Sequence, residues 1–401
     1  MLYLDFAATS ACHPQVWEAM TPYALTDFGN PASLHEAGQS AKTALEQART
    51  TLLHLLGVSE QSHHLLFTSG GTEGNNIVLQ GVLRRWVETH PDKQCRPHFI
   101  VSATEHSAVL AVAQHLERVG AIALTLLYPH AENEGRLTVA QLVEALTPET
   151  ILCSVMHANN ETGVLQPIEA MVQAVKTKNS ACLFHSDMVQ TIGKLPINLS
   201  ALGVDFATAS GHKFQAPKGA GFLVCSQVGF SALAPLCFGG SQEAGIRPGT
   251  VAVPHAVGLA TALSLKLDAL NQTHQHLTVL TAWLMEQLQT LFGERCVMNT
   301  PLAVNNRVAG IVNASFSPYL GEQLVLQLDI RGIAVSSGSA CHAGLAVEPS
   351  AVLLAMGKPK AIAQSSVRVS MGATTTKADL QAFLSAMQSI IKLPVRSVET
   401  I

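Results

Sequence analysis

Charge is scarce in this chain. Only 13% of its 401 residues are Asp, Glu, Lys or Arg, while 48% are hydrophobic. A disordered chain has the opposite balance, so these residues are expected to fold around a sizeable core. An excess of one sign is lacking too: 24 basic against 28 acidic residues leave a net charge of −4. With no basic run either, nucleic acid and anionic membrane surfaces are not expected partners. Paired cysteines are absent. The eight, at positions 12, 95, 153, 182, 225, 237, 296 and 341, include no CxxC and no zinc-like spacing. No metal site is therefore expected. Most sit in apolar runs, as Cys153 does in Ile151-Leu152-Cys153, and read as small buried hydrophobes of a reducing, cytoplasmic protein.

A membrane-length apolar run is missing as well. The one long charge-free stretch, Gly219–Gln242, is interrupted by Pro235, several glycines and polar Ser and Gln. It reads as strand, turn and strand. Met1–Asp5 has no positive segment followed by an apolar core, so no signal peptide is expected.

What is present is alternation. Strand candidates are Leu65–Thr68, His98–Ser102, Ile122–Leu127, Ile151–Met156, Ala181–His185, Phe206–Ser210 and Gly221–Cys225. Several are continuous apolar runs, as in strands covered on both faces. Helical stretches lie between them. In Ala37–Leu56, residues Ala41, Ala44, Leu45, Ala48, Leu52 and Leu55 share one stripe. The expectation is an α/β domain with a mostly parallel central sheet. From about residue 261 the pattern changes to a long helix, Thr261–Phe292, then strands at Val308–Phe316 and Ser366–Ser370 and a last helix at Lys377–Lys392. Residues 15–260 are thus expected to form a large domain, and residues 1–14 with 261–401 a smaller α+β domain.

Five segments carry chemistry. Thr68-Ser69-Gly70-Gly71-Thr72-Glu73 follows a strand and opens a helix, whose N-terminal amides suit a phosphate; a tight turn with a threonine cap accounts for it equally. Asp187, in His185–Gln190, ends a strand, where a carboxylate can pair with a pyridinium nitrogen or simply cap the next helix. Lys213, in Ser210-Gly211-His212-Lys213, also follows a buried strand and has hydroxyl and imidazole neighbours. That context suits a Schiff-base lysine better than a solvated one, whereas Lys218 reads as solvent-facing. Cys341 lies in Ser336-Ser337-Gly338-Ser339-Ala340-Cys341, among residues too small to build a core. His342, when protonated, favours its thiolate. Arg368, in Ser365–Ser370, can fork onto a carboxylate or be a surface arginine on an edge strand. A Schiff-base lysine and an accessible thiol together point to pyridoxal phosphate (PLP) chemistry that removes sulfur from an amino acid.

In this order the segments resemble group I cysteine desulfurases of the NifS/IscS type, within the class V aminotransferase-like PLP enzymes. The resemblance is carried by Asp5–Thr9, Gly29–Ser33, Phe67–Glu73, Thr104-Glu105-His106, Asn159–Gly163, His185–Gln190, Ser210–Lys213, Arg247–Thr250, Ser336–Cys341 and Glu348-Pro349-Ser350. It implies the fold type I of PLP-dependent transferases, L-cysteine as substrate, alanine as product, and sulfur left as a persulfide on Cys341. An acceptor protein, which the sequence does not name, then takes the sulfur, as in iron–sulfur cluster assembly.

By the same resemblance Lys213 bears the cofactor and takes the substrate Cα proton. His106 stacks on the ring and moves protons, Asp187 pairs with the ring nitrogen and Gln190 reaches the ring hydroxyl. Gly71, Thr72, Ser210 and His212 hold the phosphate, and Asn160 and Arg368 the substrate carboxylate. Thr250 reaches the phosphate in a second subunit, which implies a homodimer. Phe6, Gly74, Ser241 and Ala244 depart from the usual pattern. Pro248 and the Cys341-His342 pair resemble selenocysteine lyases, the alternative activity. A PLP-free scaffold or binding relative is the alternative of another class. The intact set of Lys213, Asp187, His106 and Cys341 argues against it.

Overall fold

The computed structural model describes residues 1–91, 95–338 and 348–391. Its strands are β1 (Leu2–Tyr3), β2 (His63–Thr68), β3 (His98–Ser102), β4 (Ala123–Leu127), β5 (Thr150–Ser154), β6 (Leu183–Asp187), β7 (Phe206–Ser210), β8 (Gly221–Ser226), β9 (Val297–Met298), β10 (Ile311–Ser315), β11 (Ile333–Ala334), β12 (Ser336–Ser337) and β13 (Ser366–Ser370). Seven of them make the main sheet, in the order β2-β8-β7-β6-β5-β3-β4. The neighbours from β7 through β4 run parallel, and β8 runs antiparallel to both β2 and β7. This is the α/β architecture with a mostly parallel sheet expected from the alternating pattern, and the fold type I that the resemblance implies.

The continuous apolar runs are explained by burial on both faces. Ile100, Cys153, Phe184, Ala207, Phe222 and Val224 point to one core, and Phe99, Val101, Leu152, Leu183, Phe206 and Leu223 to another. Successive side chains of a strand face opposite ways, so a strand with helices on both sides buries both sets and favours consecutive apolar residues. Each buried phenylalanine stabilises the sheet by roughly 1.5–3 kcal/mol. A further core packs Leu4 with residues from Leu280 to Ile391, around the four-stranded sheet β12-β13-β10-β9.

The helix expected at Ala37–Leu56 spans Glu36–Leu55. Its stripe buries Ala41, Ala44, Leu45, Ala48 and Leu52, leaving Leu55 partly covered. Two expectations need correction. The long helix Thr261–Phe292 is two helices, Val253–Asp268 and Leu270–Phe292, separated at Ala269 (φ −94°, ψ 3°). No Gly or Pro marks that break. The stretch Gly219–Gln242 holds one strand rather than two. After β8 the Ser226 hydroxyl accepts from Gly229 N at 2.9 Å and caps a helix, Gln227–Ser231. Among the described residues no helix is long and apolar enough to cross a membrane.

Two departures from the family pattern have local causes. A Cβ on Gly74 would lie 2.8 Å from Thr208 Cγ2, so a glycine lets the helix Gly71–Thr89 approach β7. Phe6 fits because position 372 is glycine, where a Cβ would come within 2.5 Å of the Phe6 ring.

Candidate active site

The site lies at the C-terminal ends of the parallel strands, where ligands of open α/β sheets collect. β6 ends at Asp187, and β7 ends at Ser210, three residues before Lys213. The turns after β3 and β5 bring His106 and Asn160. Gly71, Thr72, His106, Asn160, Asp187, Gln190, Ser210, His212, Lys213 and Arg368 all line one cavity of about 370 Å³. Ten of the twelve residues singled out in the sequence are thus brought together, though they come from distant segments.

Lys213 Nζ donates to the carbonyls of Ala7 (2.6 Å) and Ala8 (2.7 Å). Burial, with the positive charge of Arg368, pushes its pKa down to about 8, against the pull of Asp5 and Asp187. An amine with that value is a usable base near neutrality. Asp187 is buried. Its Oδ2 accepts from Asn75 Nδ2 at 2.7 Å and its Oδ1 from Val189 N at 3.0 Å. His106 caps the helix Ser107–Arg118, its Nδ1 accepting from Ala108 N at 3.1 Å, which places the ring proton on Nε2. Partial burial lowers its pKa, as does Lys213, while Asp187 opposes them.

The helix Gly71–Thr89 begins with no side-chain cap. Its first amides are presented beside Ser210 and His212 on the cavity wall. Gly70 takes φ +151°, and the wall is so close that a Cβ on Gly71 would meet Val189 Cγ2 at 2.8 Å. His212 Nδ1 lies 3.0 Å from Thr9 Oγ1. Burial and the cations Lys213, Lys218 and Lys194 push the His212 pKa down to about 4. An anion beside it acts in the opposite direction.

Arg368 sits on β13, an interior strand of its sheet rather than an edge, and is buried. It donates from Nη1 to Asn160 O (2.9 Å) and from Nη2 to Asp5 Oδ1 (2.7 Å). Among the described residues its Nε has no partner, and neither has Asn75 Oδ1 beside Asp187. Gln190 donates from Nε2 to Ala7 O at 3.0 Å. Lys218 is exposed, as expected.

Two expected residues are not in this cavity. Thr250 is exposed and lines a larger one, of about 580 Å³, with Lys42, Arg49 and His64. The wall beside it is built by Glu243, whose carboxylate binds Arg49 at 2.8 Å and Phe67 N at 2.8 Å although its own φ is +47°. Cys341, with His342, lies outside the described residues. The flanking Gly338 and Ser350 are described. Ser350 Oγ donates to Glu161 Oε2 at 2.6 Å, and a Cβ on Gly338 would stand 2.9 Å from that same oxygen.

Asp5, Asn75, Glu105 and Lys194 gained no role from the sequence. Asn75 was findable, being one helical turn past Gly71 and so on the same face. Glu105 is buried, with Oε1 accepting from Met156 N and Oε2 unpartnered among the described residues. Burial and the nearby Asp187 raise its pKa well above the usual carboxylate range.

The residues present fit PLP. Uncapped helix amides suit a phosphate, a carboxylate a pyridinium nitrogen and an amine of lowered pKa an aldehyde carbon. The unpartnered Arg368 Nε supplies a donor for a carboxylate. Fold and site together define a PLP-dependent enzyme of fold type I.

The aminotransferase class-V family matches residues 2–383. The cysteine desulfurase IscS of Dictyoglomus turgidum is 37% identical over 391 residues, covering 98% of this chain and 94% of its own. A solved NifS-like protein superposes with a TM-score of 0.86 at 33% identity, over 97% of this chain and 99% of that one. SspA, solved in complex with cysteine, has a TM-score of 0.78 at 30% identity, over 94% and 100%. The chain belongs to the class-V aminotransferase family, in its branch of NifS/IscS-like cysteine desulfurases.

Proposed function

We propose that this protein is a PLP-dependent cysteine desulfurase that converts L-cysteine to L-alanine and leaves the sulfur as a persulfide on Cys341. The observation that carries the reading is the convergence of Lys213, Asp187 and Arg368 on one cavity beneath an uncapped helix N-terminus. When bound, PLP supplies an electron sink for charge developing at the substrate Cα.

The chain's own groups do the rest. The amides of Gly71 and Thr72, with Ser210 and His212, hold the phosphate. Asp187, its Oδ2 fixed by Asn75, keeps a proton on the ring nitrogen. Gln190 reaches the ring hydroxyl, and His106 covers the ring and carries a proton on Nε2. Arg368 and Asn160 orient the substrate carboxylate. Lys213 Nζ removes the Cα proton and returns one. The Cys341 thiolate takes the substrate sulfur: an S–S bond forms, the C–S bond breaks, and its electron pair stays on the carbon, which is protonated to give alanine. A sulfur-acceptor protein then receives the sulfur, and iron–sulfur cluster assembly is one destination.

We further assign residues 15–260 to the PLP-binding domain and residues 1–14 with 261–401 to a smaller domain bearing the Cys341 segment. Thr250 is exposed and away from its own chain's cavity. That placement supports a homodimer in which it serves the partner's phosphate. The cysteines at 12, 95, 153, 182, 225, 237 and 296 are all free, in keeping with a reducing cytoplasm. Selenocysteine lyase is the second reading, favoured by Pro248 and the Cys341-His342 pair.

The test is alanine formation from L-cysteine by wild type and Lys213→Ala. Wild type is expected to be yellow, to turn over cysteine and, after borohydride, to carry the cofactor on the Lys213 peptide. The variant is expected to lose all three. Cofactor fixed on another lysine overturns the assignment.

A further inference from the structure

Lys194 has no part in the chemistry above, yet it reaches the same site from behind. It follows Gly193, whose φ of +75° turns the chain tightly against Phe214; a Cβ there would stand 2.7 Å from Phe214 Cβ. Lys194 Nζ donates to Gln190 Oε1 at 2.6 Å. Gln190 Nε2 donates to Ala7 O at 3.0 Å, and the same carbonyl accepts from Lys213 Nζ at 2.6 Å. One continuous chain of hydrogen bonds therefore runs from Lys194 through Gln190 and Ala7 to Lys213.

A primary amide has an acceptor end and a donor end, and turning it over exchanges them. A lysine ammonium carries donors and no acceptor. It binds only the oxygen end and so fixes which end faces away from it. The carbonyl of Ala7 imposes the same orientation but is shared with Lys213. The contact with Lys194 is the hold that Gln190 does not share.

Electrostatics sets the form in which Lys194 acts. Burial, then the cations Lys213, Arg368 and Lys266, push its pKa down to about 7, while that of Lys213 falls only to about 8. As an ammonium bound to Gln190 Oε1 at 2.6 Å, Lys194 holds the amide by donation alone.

We propose that Lys194 is a positioning residue: it locks the Gln190 amide with its N–H end toward the cavity, where that end serves an anionic oxygen, the ring hydroxyl of PLP. This rests on the PLP reading above. A donor aimed at such an oxygen favours its ionised form.

The test is a double-mutant cycle on the intact protein, with Lys194→Met, Gln190→Leu and both together. Two readouts are independent of turnover: the affinity of the apoprotein for PLP, and the pH midpoint of the bound cofactor's absorbance change. Lys194→Met is expected to weaken PLP binding roughly 3- to 10-fold, the loss of about one hydrogen bond. The absorbance midpoint is expected to rise by about half a unit or more. In the Gln190→Leu background the same substitution is expected to change neither. Lys194→Arg, which keeps a donor, is expected to stay near wild type in the midpoint. Additive effects of the two substitutions, or an unmoved midpoint in Lys194→Met, overturn the proposal. A wild type that binds no PLP overturns the underlying reading instead.

Discussion

Arg368 and Asp5 form an ion pair of 2.7 Å across 363 positions of sequence. Asp5 is itself held: its Oδ2 accepts from Ser336 Oγ at 3.1 Å, and its backbone bridges to Ser370 on the strand that carries Arg368. The guanidinium is pinned by Asp5 and by the Asn160 carbonyl, leaving Nε without a partner among the described residues. A planar group fixed in this way is prepared to bind a carboxylate with little further ordering.

Asp5→Asn keeps the shape and removes the charge. Cysteine KM is expected to rise roughly tenfold, equivalent to about 1.4 kcal/mol, with a smaller change in kcat. Steady-state kinetics of alanine formation decides it. A lower KM would mean that Asp5 competes with substrate for Arg368 rather than positioning it.

Asp187→Asn is expected to bind PLP and lose turnover by roughly 100-fold or more, because an amide does not hold a proton on a ring nitrogen as a carboxylate does. Absorbance reports the binding and alanine formation the loss. A rate near wild type removes Asp187 from the chemistry.

Glu161 predicts a pH dependence of stability. Burial raises its pKa to about 7, against the Ser350 hydrogen bond and the pull of Arg368. The folded state therefore binds this proton more tightly than the unfolded chain. The stabilisation is complete below the unfolded value of 4.5 and is lost as pH rises through 7. It amounts to at most about 3 kcal/mol. Urea unfolding between about pH 5 and 8 should show a shallower decline in Glu161→Gln than in wild type. Equal slopes refute the assignment.

Cys341→Ala separates the two activities. Sulfur bound to carbon leaves poorly without a thiolate to accept it, whereas selenium leaves more readily. The variant is expected to make no alanine from cysteine and to keep substantial activity on selenocysteine. Wild type is expected to carry one added sulfur on Cys341 that reductant removes, seen by mass spectrometry. Unchanged cysteine turnover in the variant rules out the persulfide route, and a wild type that releases selenium but never sulfur is a selenocysteine lyase.

The sequence by itself determined the large sheet and the residues whose signals are local. Apolar runs such as Phe222-Leu223-Val224-Cys225 state that a strand is covered on both faces, because period-two geometry demands it. Lys213 and Asp187 were legible because Asp187 ends one buried strand and Lys213 follows another by three residues, where α/β sheets place their chemistry. The tertiary structure alone decided the break at Ala269, which no breaker residue announces, and the partners of each site residue. Asp5 against Arg368, Asn75 against Asp187 and Lys194 against Gln190 are contacts of side chains in space. Such contacts depend on strand order and register. A one-dimensional pattern encodes which residues are buried, but not which two buried polar groups will meet.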